Sequence, residues 1–202
     1  MEKIKNWLKN KSIGYYIAAG VAVVALIFLI IFSVTYKGQM GNKESGLVPE
    51  TIIAFLIAGI LVEAAALVLP QYRFIQIIAV AMFGFALYKD VMIIPDFFAG
   101  IANGVEYNGG DTPLNMFFFV MLLLIAIASV VPAFMGFFKT EEEANKDFKP
   151  DFKNMGQVIK LGVVAVVVVA AVVTSSVVSV NLEKGHAVTT NVEDPNITQD
   201  IK

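Results

Sequence analysis

One glutamate sits where a charge is expensive. Glu63 lies inside the run TIIAFLIAGILVEAAALVLP, seven residues before Pro70, and no other ionisable side chain occurs between Glu50 and Pro70. If this run crosses a membrane and ends at Pro70, the Glu63 backbone lies about 10 Å deep in a half-core of about 15 Å. Cα–Cβ bonds in a helix tilt toward its N-terminus, so the side chain leans toward the bilayer centre and not toward the nearer surface. An ionised carboxylate there costs roughly 2.5 to 3.5 kcal/mol or more. The group must be protonated, paired or facing water. Gly59 and Ala66 share its helical face and leave room for a neighbouring helix. Lys160, about 6 Å deep by the same rise per residue, is the expected partner. Gln76, at a similar depth to Glu63, is the alternative donor, with Lys160 then snorkelling to the surface. Glu63, Lys160 and Gln76 are thus the intramembrane polar candidates.

A second group of candidates lies in the loop PDFFAGIANGVEYNGGDTP, residues 95–113. Glu106, Tyr107, Asn108 and Asp111 stand among turn-forming glycines and offer two carboxylates and a hydroxyl to a cation or a sugar. No recognised ligand spacing is present. The expectation is that Phe97 and Phe98 instead rest this loop on the membrane surface.

Most other chemistry is absent by residue type. The chain has no cysteine and one histidine, so it offers no disulfide, thiolate nucleophile or zinc–cysteine site. That histidine, His186, lies outside the apolar runs, and no HExxH, Gly-x-Ser-x-Gly, Walker or GxGxxG pattern occurs. No metal and no cofactor is expected. Asn196-Ile197-Thr198 matches a glycosylation sequon, a pattern of low information.

The elements that carry these residues follow from composition. Of 202 residues, 57% are hydrophobic and 16% charged, against about a quarter charged in a soluble domain. A soluble enzyme and a secreted disulfide scaffold are excluded, and a net charge of −2 gives no nucleic-acid footprint. Uncharged blocks of 18 or more residues are membrane spans. The spacing predicts an all-α integral membrane protein, a bundle of about five transmembrane helices over residues 13–36, 48–69, 72–94, 114–138 and 157–180. The first is too long for a signal-peptide core. The third is the shortest apolar run, interrupted by Lys89-Asp90. Pro132 should kink the fourth. The valines of the fifth would favour a strand in water, but lipid leaves only a helix or a closed barrel. Around the spans lie a basic N-terminus (1–12), the outer loop (95–113), a cytoplasmic loop (139–156) and a polar tail (181–202) expected to be disordered. Small-residue pairs at Gly14/Ala18/Ala22 and Ser129/Ala133 permit close helix contact.

Basic residues set the orientation. With the N-terminus inside, Lys3, Lys5, Lys9, Lys11, Arg73, Lys139, Lys146, Lys149, Lys153 and Lys160 are cytoplasmic, whereas Lys37, Lys43, Lys89, Lys184 and Lys202 are outside. That is two to one for N-in and C-out. With so little chemistry in the spans, the expected role is an accessory, scaffold or assembly subunit of a bacterial cytoplasmic membrane. Its partners would be the bilayer and another membrane protein or a second copy. The alternative is a subunit of a small-solute or ion transporter or channel that uses Glu63. A topology reporter fused after Lys202 should read as external and one inserted at Ala144 as cytoplasmic. A cytoplasmic reading at Lys202 would mean that one span does not cross.

Overall fold

A computed structural model describes residues 11–35, 50–70, 72–102, 112–135, 137 and 155–190. The architecture is all-helical: α1 (Ile13–Thr35), α2 (Glu50–Val68), α3 (Arg73–Ala102), α4 (Thr112–Met135) and α5 (Met155–Thr190). Each contains a stretch long and apolar enough to cross a membrane, which makes this a multi-pass membrane protein by length and composition. The helical choice follows from hydrogen-bond accounting. A valine-rich run such as α5 can satisfy its backbone within itself only by coiling.

Helices α1 to α4 close a ring, in which α1 packs on α2, α2 on α3, α3 on α4 and α4 back on α1; α5 lies outside it against α2. The α2–α3 hairpin is tight. Pro70 cannot continue the helix, and the chain turns through hydrogen bonds from Leu69 N to Ala65 O (3.0 Å) and from Tyr72 N to Leu69 O (3.1 Å). The ring is tied at the same end by the Ser12 N–H, which donates to Phe137 O at 3.1 Å. Tyr15 meets the Phe137 ring edge-on, with centroids 5.9 Å apart.

The buried residues of α1 are Gly14, Ala18, Val21, Ala25, Phe28 and Phe32, alternating steps of four and three that trace one stripe of the helix. The stripe ends in an aromatic cluster in which Phe32 and Phe118 lie 4.8 Å apart and Phe28 and Phe118 6.0 Å apart. Helix α2 is the most enclosed, with 56% of its spanning stretch buried against 22% for α5. Gly59 makes this possible. A β-carbon there would stand 2.6 Å from Phe83 Cε1 and 2.7 Å from Cδ1, so α2 and α3 approach over a bare backbone.

Three boundaries differ from the sequence expectation. Helix α3 does not stop at residue 94 but runs through Pro95 to Ala102, over Phe97 and Phe98, which were assigned to the loop. Its 30 residues measure about 45 Å against a core of about 30 Å, so the third helix has length to spare. Lys89-Asp90 does not interrupt it, because Asp90 is buried and the Lys89 ammonium lies 5.9 Å from the Tyr88 ring centre. Helix α5 likewise continues to Thr190, ten residues into the polar segment expected to be disordered. Once the nucleating turns exist, each further residue adds a hydrogen bond at little cost. Helix α4 begins at Thr112, two residues early, with Pro113 in its first turn, where the missing N–H costs nothing. Of the small residues, Gly14, Ala18 and Ser129 are buried inside the bundle and serve internal packing, whereas Ala22 and Ala133 are half-buried.

Gly59→Ala should lower thermal stability in detergent by roughly 1–3 kcal/mol through overpacking. Trimming the opposing ring with Phe83→Leu in the same chain should recover part of that loss. An unchanged melting temperature for Gly59→Ala would show that the close approach of α2 and α3 does not exist.

Candidate functional site

Three helices deliver one polar cluster into the ring. Glu63 comes from α2, Gln76 from the first turns of α3 and Ser129 from α4. The hairpin makes the first two meet, since Glu63 stands six residues before Leu69 and Gln76 four after Tyr72, on strands of helix that run antiparallel past each other. Glu63 is 0% exposed and Gln76 1%. The amide Nε2 of Gln76 donates to both carboxyl oxygens of Glu63, at 2.9 and 2.8 Å, and reaches the Ser129 carbonyl at 3.3 Å. The Ser129 hydroxyl is turned away, donating to Ala126 O at 2.7 Å.

The cluster is rich in acceptors and poor in donors. The amide oxygen of Gln76, Oε1, is buried with no hydrogen-bond partner. Pro132 lies inside α4 and is itself fully buried. It has no N–H for the carbonyl of Ala128, four residues back, yet α4 continues as helix through it to Met135.

The structure places the other candidates elsewhere. Lys160 is exposed near the start of α5, and both hydrogen bonds to the Glu63 carboxyl come from Gln76. The expected Glu63–Lys160 pair is therefore replaced by the amide contact, because α5 packs outside the ring while Glu63 points into it. Glu106, Tyr107, Asn108 and Asp111 lie outside the described residues. Three hydroxyls of the spans bond back to their own helices: Ser175 Oγ to Val172 O at 3.0 Å, Ser176 Oγ to Val172 O at 2.8 Å and Thr35 Oγ1 to Ile31 O at 2.8 Å. Ser175 also faces Met82 Sδ of α3 at 3.9 Å.

One buried acid was missed. Asp90 is 3% exposed, and its Oδ2 has no hydrogen-bond partner. It follows Gln76 by 14 residues, about 21 Å along α3, so it belongs to the opposite end of the ring. The signal was its register, for Ala79, Phe83, Ala86 and Asp90 recur every three or four residues on the face of α3 that is buried. A cavity of about 500 Å³ lies between α2 and α5, lined by alanines 54, 58, 170 and 171 and by larger apolar side chains, with Thr174 and Ser175 its polar members.

Chemically, a carboxyl group held by one amide can lock helices together or hold a positive species. Among the described residues no three His, Cys, Asp or Glu side chains converge on a metal position. If the amide contact joins α2 to α3, Gln76→Leu strands the buried carboxyl and should destabilise the protein more than Glu63→Leu/Gln76→Leu, which removes both groups. The coupling from the full cycle should be about 0.6 to 2 kcal/mol. Lys160→Met should add independently to Glu63→Gln, and a non-additive pair would restore the lysine as the partner.

Compared with protein-family models, curated proteins and solved structures, the chain matches none.

Proposed function

We propose that this chain is an accessory or assembly subunit of the cell membrane, with its N-terminus inside and its C-terminus outside, and that it catalyses no reaction of its own. The orientation rests on the two-to-one excess of Lys and Arg on the N-terminal side. One observation carries the role. In the half of the ring away from Glu63, the interior is filled by Phe28, Phe32 and Phe118, all within 1% of full burial. A solute or ion crossing through the ring would have to displace that aromatic packing. In the other half, the Gln76 NH2 links Glu63 of α2 to the Ser129 carbonyl of α4.

A subunit of this kind needs apolar faces for its neighbours, and the outer helices have them. Val23, Ile27, Ile30 and Val34 on α1 are exposed, as are Val166, Val169, Val173 and Val177 on α5. Lipid covers these faces by default, and another membrane protein or a second copy competes for them through van der Waals packing. The transporter or channel reading keeps Glu63 as its polar site and has the buried Asp90 at the other end, but a solute would have to pass the packed phenylalanines between them.

Reconstituted into proteoliposomes, the purified chain should pass ions and small solutes no faster than protein-free vesicles. Crosslinking in native membranes, followed by mild solubilisation, should retain a membrane partner or a second copy. Flux that disappears in Glu63→Gln would overturn this reading in favour of transport.

A further inference from the structure

We propose that the cavity between α2 and α5 is a binding site for one phospholipid acyl chain, which completes the attachment of α5 to the ring. The cavity, of about 500 Å³, lies within the contact of the two helices. It exists because alanines 54, 58, 170 and 171 stand where larger side chains would fill it. Of its lining, Ala58 and Ala171 are buried, whereas Ile57, Leu61, Ala170 and Thr174 are exposed. It therefore opens outward, away from the ring interior. At this depth an outward opening faces hydrocarbon. Ala54 and Leu61 lie four and eleven residues from Glu50, about 6 and 16 Å below that end of α2. On α5, Val178 lies about 6 Å below Leu182, where the apolar stretch ends. The cavity thus starts below the headgroups of the leaflet at the Glu50 end and reaches the middle of the bilayer, about 15 Å down.

Polarity and width decide the class of occupant. Ordered water needs about two to four polar partners, and the lining has two hydroxyls, of which that of Ser175 is committed to Val172 O at 3.0 Å. No charged side chain lines the cavity, so a headgroup finds nothing to bind. An apolar occupant is left, since an empty space of this size forfeits contacts along every wall. The lining on α5 runs from Val167 to Val178, about 16 Å. Spread over that length, the volume has a cross-section of about 30 Å². A helix with its side chains, about 10 Å across, has a section of about 80 Å² and does not enter. A single hydrocarbon chain, whose carbons sit about 4 Å from their neighbours, does. Helix α5 gains most from such an occupant. Only 22% of its spanning stretch is buried, and a chain in the cavity touches α2 and α5 together. The site is independent of the role proposed above.

The test is retention of phospholipid by the full chain purified in mild detergent, read by native mass spectrometry. Wild type should keep one more phospholipid per chain than Ala54→Leu/Ala170→Leu, which fills the cavity. Ala165→Leu, on an exposed face of α5 outside the cavity, should match wild type. After delipidation, palmitoyl-oleoyl phosphatidylcholine should raise the midpoint of thermal unfolding saturably, by roughly 3 °C or more. Phosphatidylglycerol with the same chains should do the same, because the lining carries no charge. Dioctanoyl phosphatidylcholine should fall short, its chains being too short to fill the cavity, and the double variant should not respond. The wild-type measurements decide the question even if a variant fails to fold. No retained phospholipid and no response to added lipid would overturn the proposal. So would a response that survives in the double variant or one that depends on the headgroup. Since the chain has no cysteine, a disulfide-linked dimer of Thr174→Cys in native membranes would put a second copy at the cavity and overturn it too.

Discussion

A single carboxyl group inside hydrocarbon constrains this bundle more than any other side chain described. Burying Glu63 without a partner costs more than most packing contacts return, so some other helix must bring it a donor. The Gln76 amide does so from α3, and in reaching Ser129 it joins α4 as well. Because polar contacts between membrane helices have narrow geometry while apolar contacts slide, this cluster sets the register in which α2, α3 and α4 meet. The bare backbone at Gly59 is part of the same arrangement. It lies one helical turn from Glu63 and lets the Phe83 ring sit against α2, which keeps the two helices close enough for an amide to span both carboxyl oxygens.

The rest of the architecture divides into a closed part and an attached part. The ring of α1 to α4 has a polar cluster near the Leu69–Tyr72 turn and, at the far end, the packed rings of Phe28, Phe32 and Phe118 together with the buried Asp90. Helix α5 contributes little to that interior. It rests on α2 through alanines and valines, with Ser175 against Met82, and leaves a cavity of about 500 Å³ between the two helices. Hydroxyls that bond back to their own carbonyls slightly destabilise a helix, and that bond makes no contact to a neighbour. The attachment of α5 therefore depends on shape, whereas the ring depends on shape and on one polar lock.

The sequence by itself determined the helices. Uncharged blocks as long as the bilayer is thick leave a chain no other way to satisfy its backbone, so number, type and approximate extent of the spans were legible without tertiary information. It also singled out Glu63 and named Gln76 among its two partners, because depth along a helix can be counted. The ends were less legible. A nucleated helix propagates at little cost per residue, which is why α5 passes Asn181 although composition changes there; α3 passes Pro95 in spite of the bond to the Val91 carbonyl that a proline cannot make.

Only the tertiary structure decided which helix faces which. Depth restricts a partner to a level in the membrane but leaves its direction around the helix axis open, and Lys160 and Gln76 were both admissible on depth. The choice fell to Gln76 because the hairpin forces α2 and α3 into contact, while α5 joins from outside the ring. The burial of Asp90 has the same origin, since whether an acid near a span end meets water or a neighbouring helix depends on what packs against that face. Periodicity places a residue on a stripe; only the closing of the ring determines whether that stripe becomes an interior.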